Sequence, residues 1–247
     1  MKTLRLGWRA VFFLGYTAKI VLEILLKSKF WRGFGIREAM SVRRRWARRV
    51  LHGIGVRLEV EGVPPDFPCL LVCNHRSYLD PLALLCHVDG YPVAKAEVRK
   101  YPFLGYGAEL SGILFLKREH RGSRASTLKA IGETIWGGFP VILFPEGTTS
   151  SLPGTLEFKK SAFQIAAKNG FLVVPVAIHF DDPHDFWVGN VPLVRHARRS
   201  FQKAHIRVRL RYGPAMYAED AAALAAESRQ WIENQLFKMQ NQPLANP

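Results

Sequence analysis

Residues 70–80 are Leu70-Leu71-Val72-Cys73-Asn74-His75-Arg76-Ser77-Tyr78-Leu79-Asp80. Four apolar residues, typical of a short buried strand, pass directly into a polar turn, and Pro81 then favours the start of a helix. In open α/β sheets, functional side chains collect just beyond the carboxyl ends of the strands. The segment therefore predicts a buried strand with a functional site at its end.

A general base is the chemistry that this turn favours. If the four residues between His75 and Asp80 turn back, the carboxylate can hold one imidazole nitrogen and leave the other free to accept a proton. Such an imidazole can deprotonate an alcohol near neutral pH. The alternative is structural, since Asp80 before Pro81 is also a typical cap of a helix N-terminus.

A second buried strand that ends in a polar turn is formed by Val141-Ile142-Leu143-Phe144-Pro145-Glu146-Gly147-Thr148-Thr149-Ser150. Hydroxyls and backbone N–H groups in a glycine-containing turn can receive a phosphate or another acceptor headgroup. Taken alone, this segment is equally compatible with an ordinary strand-to-loop turn. No GxSxG nucleophile motif is present, which argues against a covalent intermediate on a serine and favours direct attack by a hydroxyl that His75 activates.

Strand and helix patterns alternate through the rest of the chain. This alternation predicts an α/β fold, with a central, mostly parallel or mixed sheet flanked by helices. The predicted strands are 56–60, 70–73, 93–94, 113–116, 141–144, 172–178 (interrupted by Pro175) and 205–212. The predicted helices begin at Pro81 and cover 100–109, 124–136, 161–168 and 219–239.

The N-terminal segment carries most of the charge. The net charge is +15, and 13 of the 35 Lys and Arg residues lie in residues 1–49 with only two acidic residues. Placed on a helix, the charged residues from Lys2 to Lys27 share one stripe, and Val11, Leu14 and Leu22 lie opposite. Because charges interrupt the apolar run, a helix lying in the bilayer interface fits better than a spanning helix. A helix packed on the protein itself is the structural alternative.

A second basic helix is predicted from about Arg37 to Leu51, and its arginines could lie against anionic headgroups. We therefore expect a membrane-association segment at residues 1–55 and a catalytic domain at residues 56–247. The expected location is the cytoplasmic face of the inner membrane. Three cysteines, Cys69, Cys73 and Cys86, form no disulfide framework and no metal-type spacing, so no metal is expected.

The two motifs together, Asn74-His75-x4-Asp80 and Phe144-Pro145-Glu146-Gly147-Thr148, resemble the glycerolipid acyltransferases, in particular 1-acylglycerol-3-phosphate O-acyltransferases. Three further blocks match the family over residues 56–180. They are Lys95 with Pro102 and Gly105, Gly112-Ile113-Leu114-Phe115-Leu116-Lys117-Arg118, and Val174-Pro175-Val176-Ala177-Ile178. The C-terminal third resembles the family only loosely.

The resemblance implies an enzyme of phospholipid biosynthesis that transfers a fatty acyl chain from acyl-CoA or acyl carrier protein to a lysolipid hydroxyl. It needs no cofactor beyond that donor. His75 would be the general base and Asp80 its orienting partner, and Pro175 would lie near the acyl tunnel. The residues expected to bind or shape the acceptor site are Asn74, Arg76, Lys95, Arg118, Glu146, Gly147, Thr148, Thr149 and Ser150.

Two departures bear on the acceptor. Position 149 is Thr where many lysophosphatidate-acylating members have Arg, and position 117 is Lys where Asp is common. Losing an Arg removes a bidentate phosphate ligand, although Arg76 and Arg118 could compensate. The first expectation is 1-acyl-sn-glycerol-3-phosphate, and the alternative is another lysolipid such as a lyso-ornithine lipid.

Two other classes of protein compete with this interpretation. A nucleic-acid-binding protein would explain the positive charge, but the chain lacks a recognised module, and its charge is tied to an amphipathic helix. A non-catalytic membrane adaptor would not need the His75 and Asp80 pair. We therefore expect membrane lipids and an acyl donor as partners, and no nucleic acid.

Overall fold

A seven-stranded sheet with helices on both faces forms the protein, in a computed structural model that describes residues 1–100, 104–116 and 121–242. The strands are β1 (Val56–Glu61), β2 (Leu70–Cys73), β3 (Tyr91–Lys95), β4 (Leu114–Leu116), β5 (Val141–Leu143), β6 (Val173–Phe180) and β7 (Ile206–Tyr212). The α-helices are α1 (Lys2–Phe30), α2 (Ile36–Gly53), α3 (Asp80–Leu85), α4 (Leu104–Leu110), α5 (Arg121–Trp136), α6 (Ser161–Asn169), α7 (Leu193–Gln202) and α8 (Ala221–Asn241). Short 3-10 helices lie at Ala96–Lys100 and Pro183–Asp185.

The strand order is β1-β7-β6-β2-β5-β3-β4, and only β6 and β7 pair antiparallel. The predicted mixed α/β fold is thus confirmed. Strand β2, whose four residues are all buried, lies in the middle between β5 and β6. Since β2, β5 and β6 run parallel, the turns that follow them meet at one edge of the sheet.

Each face of the sheet has its own core. Helices α1, α2, α3 and α7 cover one face, where Ile20, Trp46, Leu84 and Phe201 share a cluster with Leu71. Helices α5, α6 and α8 cover the other face, and their cluster contains Ile131, Phe163, Leu236, Leu70 and Val72. The alternation of neighbours such as Leu70 and Leu71 between the two clusters follows from the two-residue repeat of a strand.

Strand β6 differs from its prediction, because Pro175 does not interrupt it. Val72 and Pro175 are in register, and the Pro175 carbonyl accepts a hydrogen bond from Gly213 N at 2.8 Å. The N and C=O of one strand residue point to the same side, so the missing N–H also faces β7. The β7 ladder begins only at Val176, and the proline therefore costs the sheet no central hydrogen bond.

Several charged residues of α1 lie on its inner side, against the rest of the protein. In a helix that lies in the bilayer interface, the charged side would instead face the headgroups. The Arg9 guanidinium is buried and donates to the carbonyls of Phe201, Lys203 and Ala204 at 3.3, 2.7 and 2.9 Å. Glu23 pairs with Arg45 of α2. The charged stripe therefore holds α1 against α2 and α7.

The opposite side of α1 is apolar and exposed to solvent. We call it the outer row, and its residues are between 48 and 79 % exposed: Leu4, Trp8, Val11, Leu14, Leu22 and Leu26. Within the described ranges, none of the helices combines the length and the apolar composition needed to cross a bilayer. Of the predicted α2 arginine cluster, Arg43 is buried and donates to the Ser111, Gly112 and Gly90 carbonyls, so it is not available to headgroups.

Candidate active site

The turn after β2 is anchored by Asn74. The side-chain amide of Asn74 is completely buried, and it donates to Ile178 O at 2.9 Å and accepts from Ile178 N at 2.8 Å. It thus continues the pairing of β2 with β6 by one residue through its side chain. These bonds position the turn, and the predicted contribution of Asn74 to the acceptor site stays a prediction.

His75 and Asp80 lie together, as the four-residue spacing predicts. His75 Nδ1 is 2.7 Å from Asp80 Oδ2, and the same oxygen accepts hydrogen bonds from the backbone N–H groups of Arg76 and Ser77 at 2.6 and 2.8 Å. Asp80 is the first residue of α3, but its carboxylate receives these three groups instead of capping the helix, which has no side-chain cap. The backbone donors hold the carboxylate in the turn, and the carboxylate holds the imidazole.

This arrangement leaves one imidazole nitrogen available. An ionised carboxylate only accepts hydrogen bonds, so Nδ1 carries the proton and Nε2 keeps its lone pair. Among the described residues, His75 Nε2 has no hydrogen-bond partner. The ring stacks on Phe144 with centroids 4.2 Å apart, and the His75 side chain is 20 % exposed. One ring face is therefore shielded, and a partly open edge can accept a proton from an alcohol.

Glu146 joins the second motif to the first. Its Oε1 accepts from His75 N at 2.7 Å, its Oε2 accepts from Leu156 N at 2.8 Å, and Ser150 N donates to His75 O at 2.9 Å. Burial raises the pKa of Glu146, and the hydrogen bonds from Leu156 and His75 oppose that shift. Both carboxylate oxygens thus accept backbone N–H groups, one of them that of His75. The predicted role of Glu146 in shaping the acceptor site stays a prediction.

Arg76 is turned into the protein and is 1 % exposed. Its guanidinium donates to the carbonyls of Ser150, Gly154 and Pro153 at 2.9, 2.8 and 3.3 Å, and burial lowers its pKa. The loop after β5 is held by these bonds. Arg76 is therefore committed to the scaffold, and it does not compensate for the Arg that is absent at position 149.

The two turns are bound to each other through four residues, His75, Glu146, Ser150 and Arg76. Both turns lie in the part of the chain that a protein-family model matches. The model of the Acyltransferase family matches residues 56–179. The chain belongs to this family. It is an acyltransferase, as the sequence predicts.

Several relatives of this acyltransferase are named for their lipid substrates. It is 32 % identical over 197 residues to the lyso-ornithine lipid O-acyltransferase of Rhizobium meliloti, covering 70 % of this chain and 68 % of the relative. It is 29 % identical to the enzyme of that name from Pseudomonas aeruginosa, with 78 and 77 % of the two chains covered. The 1-acyl-sn-glycerol-3-phosphate acyltransferase of Neisseria meningitidis is 35 % identical over 137 residues, and the match covers 55 % of this chain and 54 % of that relative.

A solved structure shares the fold. The crystal structure of the 1-acyl-sn-glycerophosphate acyltransferase PlsC from Thermotoga maritima superposes with a TM-score of 0.74, covering 99 % of this chain and 100 % of that one. The two sequences are 22 % identical, so this comparison supports the architecture alone.

The remaining predicted acceptor residues are distributed around the acyltransferase site. Gly147 has a positive φ of 72°, which lets the second turn close tightly. Thr148 is exposed and Thr149 half-buried, and within the described part neither has a hydrogen-bond partner. Ser150 is buried, and its Oγ accepts from Leu152 N at 3.1 Å. The two threonines are therefore the members of this turn that can reach a ligand.

Two predicted cations lie farther along the sheet. Lys95 is exposed at the end of β3, which is separated from β2 by β5 and ends at the same edge. Arg118 lies outside the described residues, as does Pro102. Of the three predicted cations, Arg76 is buried, Lys95 has an exposed side chain, and Arg118 is not among the described residues.

Pro175 lies on the face of the sheet that α8 covers. Gly213 and Trp231 are its close neighbours there. The predicted acyl-tunnel role of Pro175 stays a prediction. A cavity of about 370 Å³ opens elsewhere, and its lining contains none of the predicted site residues: Asp181, Asp182, Asp185, Lys203, Ala204, His205 and Arg207.

Residues 187–201, for which the sequence patterns predict no helix, contact the first turn. Trp187 N donates to Arg76 O at 2.8 Å, and the Tyr78 ring contacts Trp187 and His196 with centroids 5.8 and 5.6 Å apart. His196 belongs to α7, which was not predicted. Its apolar residues Leu193, Ala197 and Phe201 are four apart, and that helical spacing could have revealed it.

Residues 181–185 belong to an ion-pair cluster. Lys203 Nζ contacts Asp182 and Asp185 at 2.6 and 2.5 Å, and Asp181 pairs with Arg209 at 2.6 Å. Within the described ranges, no group of three or more His, Cys, Asp and Glu side chains is arranged to hold a metal ion.

Proposed function

We propose that this acyltransferase moves a fatty acyl chain from an acyl thioester, acyl-CoA or acyl carrier protein, to a lysolipid hydroxyl, with His75 as the general base. The 2.7 Å contact between His75 Nδ1 and Asp80 Oδ2 carries the proposal. Because it fixes the proton on Nδ1, Nε2 is the nitrogen that faces the acceptor.

The reaction balances with these residues alone. The acceptor oxygen attacks the thioester carbonyl while His75 Nε2 takes its proton, and the C–S bond then breaks. The imidazolium returns the proton to the departing thiolate. Asp80, which accepts two backbone N–H groups besides His75, stabilises the positive ring during this step.

The acceptor headgroup has two candidates. We expect 1-acyl-sn-glycerol-3-phosphate from the motifs, but a phosphate needs cations, and Arg76 is buried against backbone carbonyls while position 149 is Thr. A lyso-ornithine lipid has a carboxylate and an amine in place of the phosphate. Its named acyltransferases match 197 and 199 residues, beyond the family domain, whereas the N. meningitidis glycerophosphate enzyme matches 137. These observations favour the lyso-ornithine type.

A panel of lysolipid substrates tests both the role of His75 and the identity of the acceptor. Purified protein is offered a labelled acyl thioester with each lysolipid, and products are identified by mass spectrometry. We expect an acylated lysolipid with wild type and a loss of at least about 100-fold with His75→Ala, because a general base contributes that much. Equal turnover by the two proteins would refute the role of His75. Exclusive acylation of the glycerophosphate lipid would refute the acceptor preference.

We further propose that the outer row of α1 lies in the bilayer interface, at the cytoplasmic face of the inner membrane. The row exposes large apolar side chains while the inner face is bonded to the protein. Deleting residues 1–49 is a poor test, since Ile20, Ile24 and Trp46 belong to the core. Replacing Trp8 and Leu14 by Asn is sharper, because both are exposed. We expect reduced vesicle sedimentation with unchanged thermal stability, and unchanged sedimentation would place the anchor elsewhere.

A further inference from the structure

Helix α7 and the loop before it cover the catalytic turn, but the proposed reaction does not use them. Trp187 N bonds to Arg76 O, Trp187 Nε1 bonds to Val191 O at 2.8 Å, and the ring of His196 packs on Tyr78. These contacts place residues 187–202 beside the turn that holds His75. What the outer side of this segment faces is therefore relevant to how an acceptor reaches the site.

The outer side of α7 is basic and apolar at once. Arg195, Arg198 and Arg199 are exposed, and in the part of the chain that the structure describes none of them has a hydrogen-bond or ion-pair partner. Val194 is 78 % exposed, and Val191 just before the helix is also exposed. The helix contains no acidic residue. An anionic surface with an apolar layer beneath it would complement this side.

Helix α7 also packs against α1. The ring of Phe13 in α1 meets Phe201 edge-on, with centroids 6.2 Å apart, and Arg5 and Arg9 bond to carbonyls at the end of α7. Residues seven apart share one side of a helix, so Val194 lies on the same side of α7 as Phe201, towards α1.

We propose that the exposed side of α7, formed by Val194, Arg195, Arg198 and Arg199, is a second lipid-contacting surface that rests on anionic headgroups beside the active site. The inference rests on the proposed function, since it names the surface from which a lysolipid would enter. The arginines are attracted to the anionic headgroups of the bilayer. The side chains of Val191 and Val194 then enter the bilayer interface.

An acidic protein is the competing occupant of such a surface, and an acidic carrier protein is the obvious one. The exposed side chains of Val191 and Val194 beside the arginines favour lipid, because an anionic bilayer offers an apolar layer beneath its headgroups. The arginines would suit either an anionic lipid surface or an acidic protein, so the experiment has to distinguish these two occupants.

A fluorescent probe at position 194 gives the direct test in the full chain. Burial raises the pKa values of the Cys69 and Cys86 thiols to about 12 and also raises that of Cys73, so the native thiols react poorly and Val194→Cys is labelled selectively. Lys168→Cys is the matched control, because Lys168 is exposed on α6, on the other face of the sheet. Vesicles of phosphatidylglycerol and phosphatidylcholine are added to each labelled protein.

We expect the probe at 194 to shift to the blue and to be quenched by quenchers carried on lipid, and the probe at 168 to change little. A probe at 194 that keeps its spectrum in water while the protein sediments with vesicles would overturn the proposal. So would a shift produced by an acidic carrier protein and not by vesicles, which would identify a protein-docking surface instead.

Charge removal gives an independent measurement. Each arginine near the surface contributes about 1 kcal/mol, roughly fivefold, so R195Q/R198Q/R199Q should weaken binding to anionic vesicles on the order of 100-fold. Binding within about twofold of wild type would contradict the proposal. Turnover in detergent micelles separates the two hypotheses: the triple variant should keep wild-type turnover there, whereas a wild type that is inactive in micelles with every lysolipid would indicate failure of the proposed function itself.

Discussion

The Glu146 carboxylate accepts the backbone N–H of His75 at 2.7 Å, so the second motif of this acyltransferase holds the base of the first. The other Glu146 oxygen holds Leu156 N at 2.8 Å. One buried carboxylate thereby fixes the distance between two turns that are 71 residues apart in sequence. This relationship separates positioning from acceptor binding, and the two roles have different kinetic signatures.

We predict that Glu146→Ala lowers the free energy of unfolding by about 2–4 kcal/mol, because two buried N–H groups lose a charged acceptor. Glu146→Gln should cost roughly half as much, since its single carbonyl oxygen keeps one of the two bonds. In both variants kcat should fall while the KM for the lysolipid changes little, as measured by denaturant unfolding and steady-state kinetics. Exposed Glu157, in the same loop, provides the control Glu157→Gln. A raised lysolipid KM with unchanged kcat would restore acceptor binding as the role of Glu146.

Asp80→Asn tests the negative charge behind the imidazole. The Asp80 oxygen that contacts His75 Nδ1 is the one that also accepts the N–H groups of Arg76 and Ser77, so an Asn oxygen in its place would keep all three contacts. The variant removes the charge that stabilises the imidazolium formed when Nε2 takes the proton. We expect kcat to fall between about 100- and 10,000-fold. Binding of Asp80→Asn to vesicles should match wild type, and so should the thermal midpoint of the control Asp66→Asn. Full activity in the Asp80 variant would show that the base does not need the charge of the carboxylate.

We expect the buried His179 to make the free energy of unfolding depend on pH. It lies in β6, almost completely buried, with no hydrogen bond to Nδ1 in the described residues, and burial lowers its pKa to about 4. Between about pH 6.5 and 4 the unfolded chain binds a proton that the folded chain refuses, so stability falls as pH falls through this window. The loss approaches about 3 kcal/mol at the lower end.

The measurement is denaturant unfolding of wild type and His179→Gln between pH 7.5 and pH 4.5. The slope of stability against pH should become shallower in His179→Gln and stay unchanged in the control His184→Gln, since His184 is exposed. Parallel curves for wild type and His179→Gln would show that other groups set the dependence.

Arg9→Met should loosen α1 from the rest of the protein. The variant leaves the carbonyls of Phe201, Lys203 and Ala204 without the buried guanidinium, at a cost of roughly 2–4 kcal/mol. Hydrogen exchange should accelerate in residues 2–13 and at the end of α7, and remain unchanged around α8. Lys19→Met, at an exposed position of the same helix, is the matched control. Equal protection in wild type and Arg9→Met would mean that apolar packing alone holds α1.

The sequence by itself determined the alternation of strands and helices, the central strand at residues 70–73 and the pairing of His75 with Asp80. These are local properties: apolar periodicity and a five-residue separation act within one segment, where the chain itself keeps the partners close. The family resemblance followed from the same local motifs. The helix at 193–202 carried such a signal too, in the spacing of Leu193, Ala197 and Phe201.

Only the tertiary structure decided what Asn74, Arg76, Glu146 and Arg9 do. Each was taken as a polar residue available to a ligand or a membrane, and each is instead buried and bonded to backbone groups between 71 and 195 residues away. Desolvating a charged or amide side chain requires such partners, and which carbonyls or N–H groups become neighbours depends on how the sheet is assembled. The direction in which the apolar row of α1 points follows from the same bonds, because Arg9 fixes the rotation of the helix.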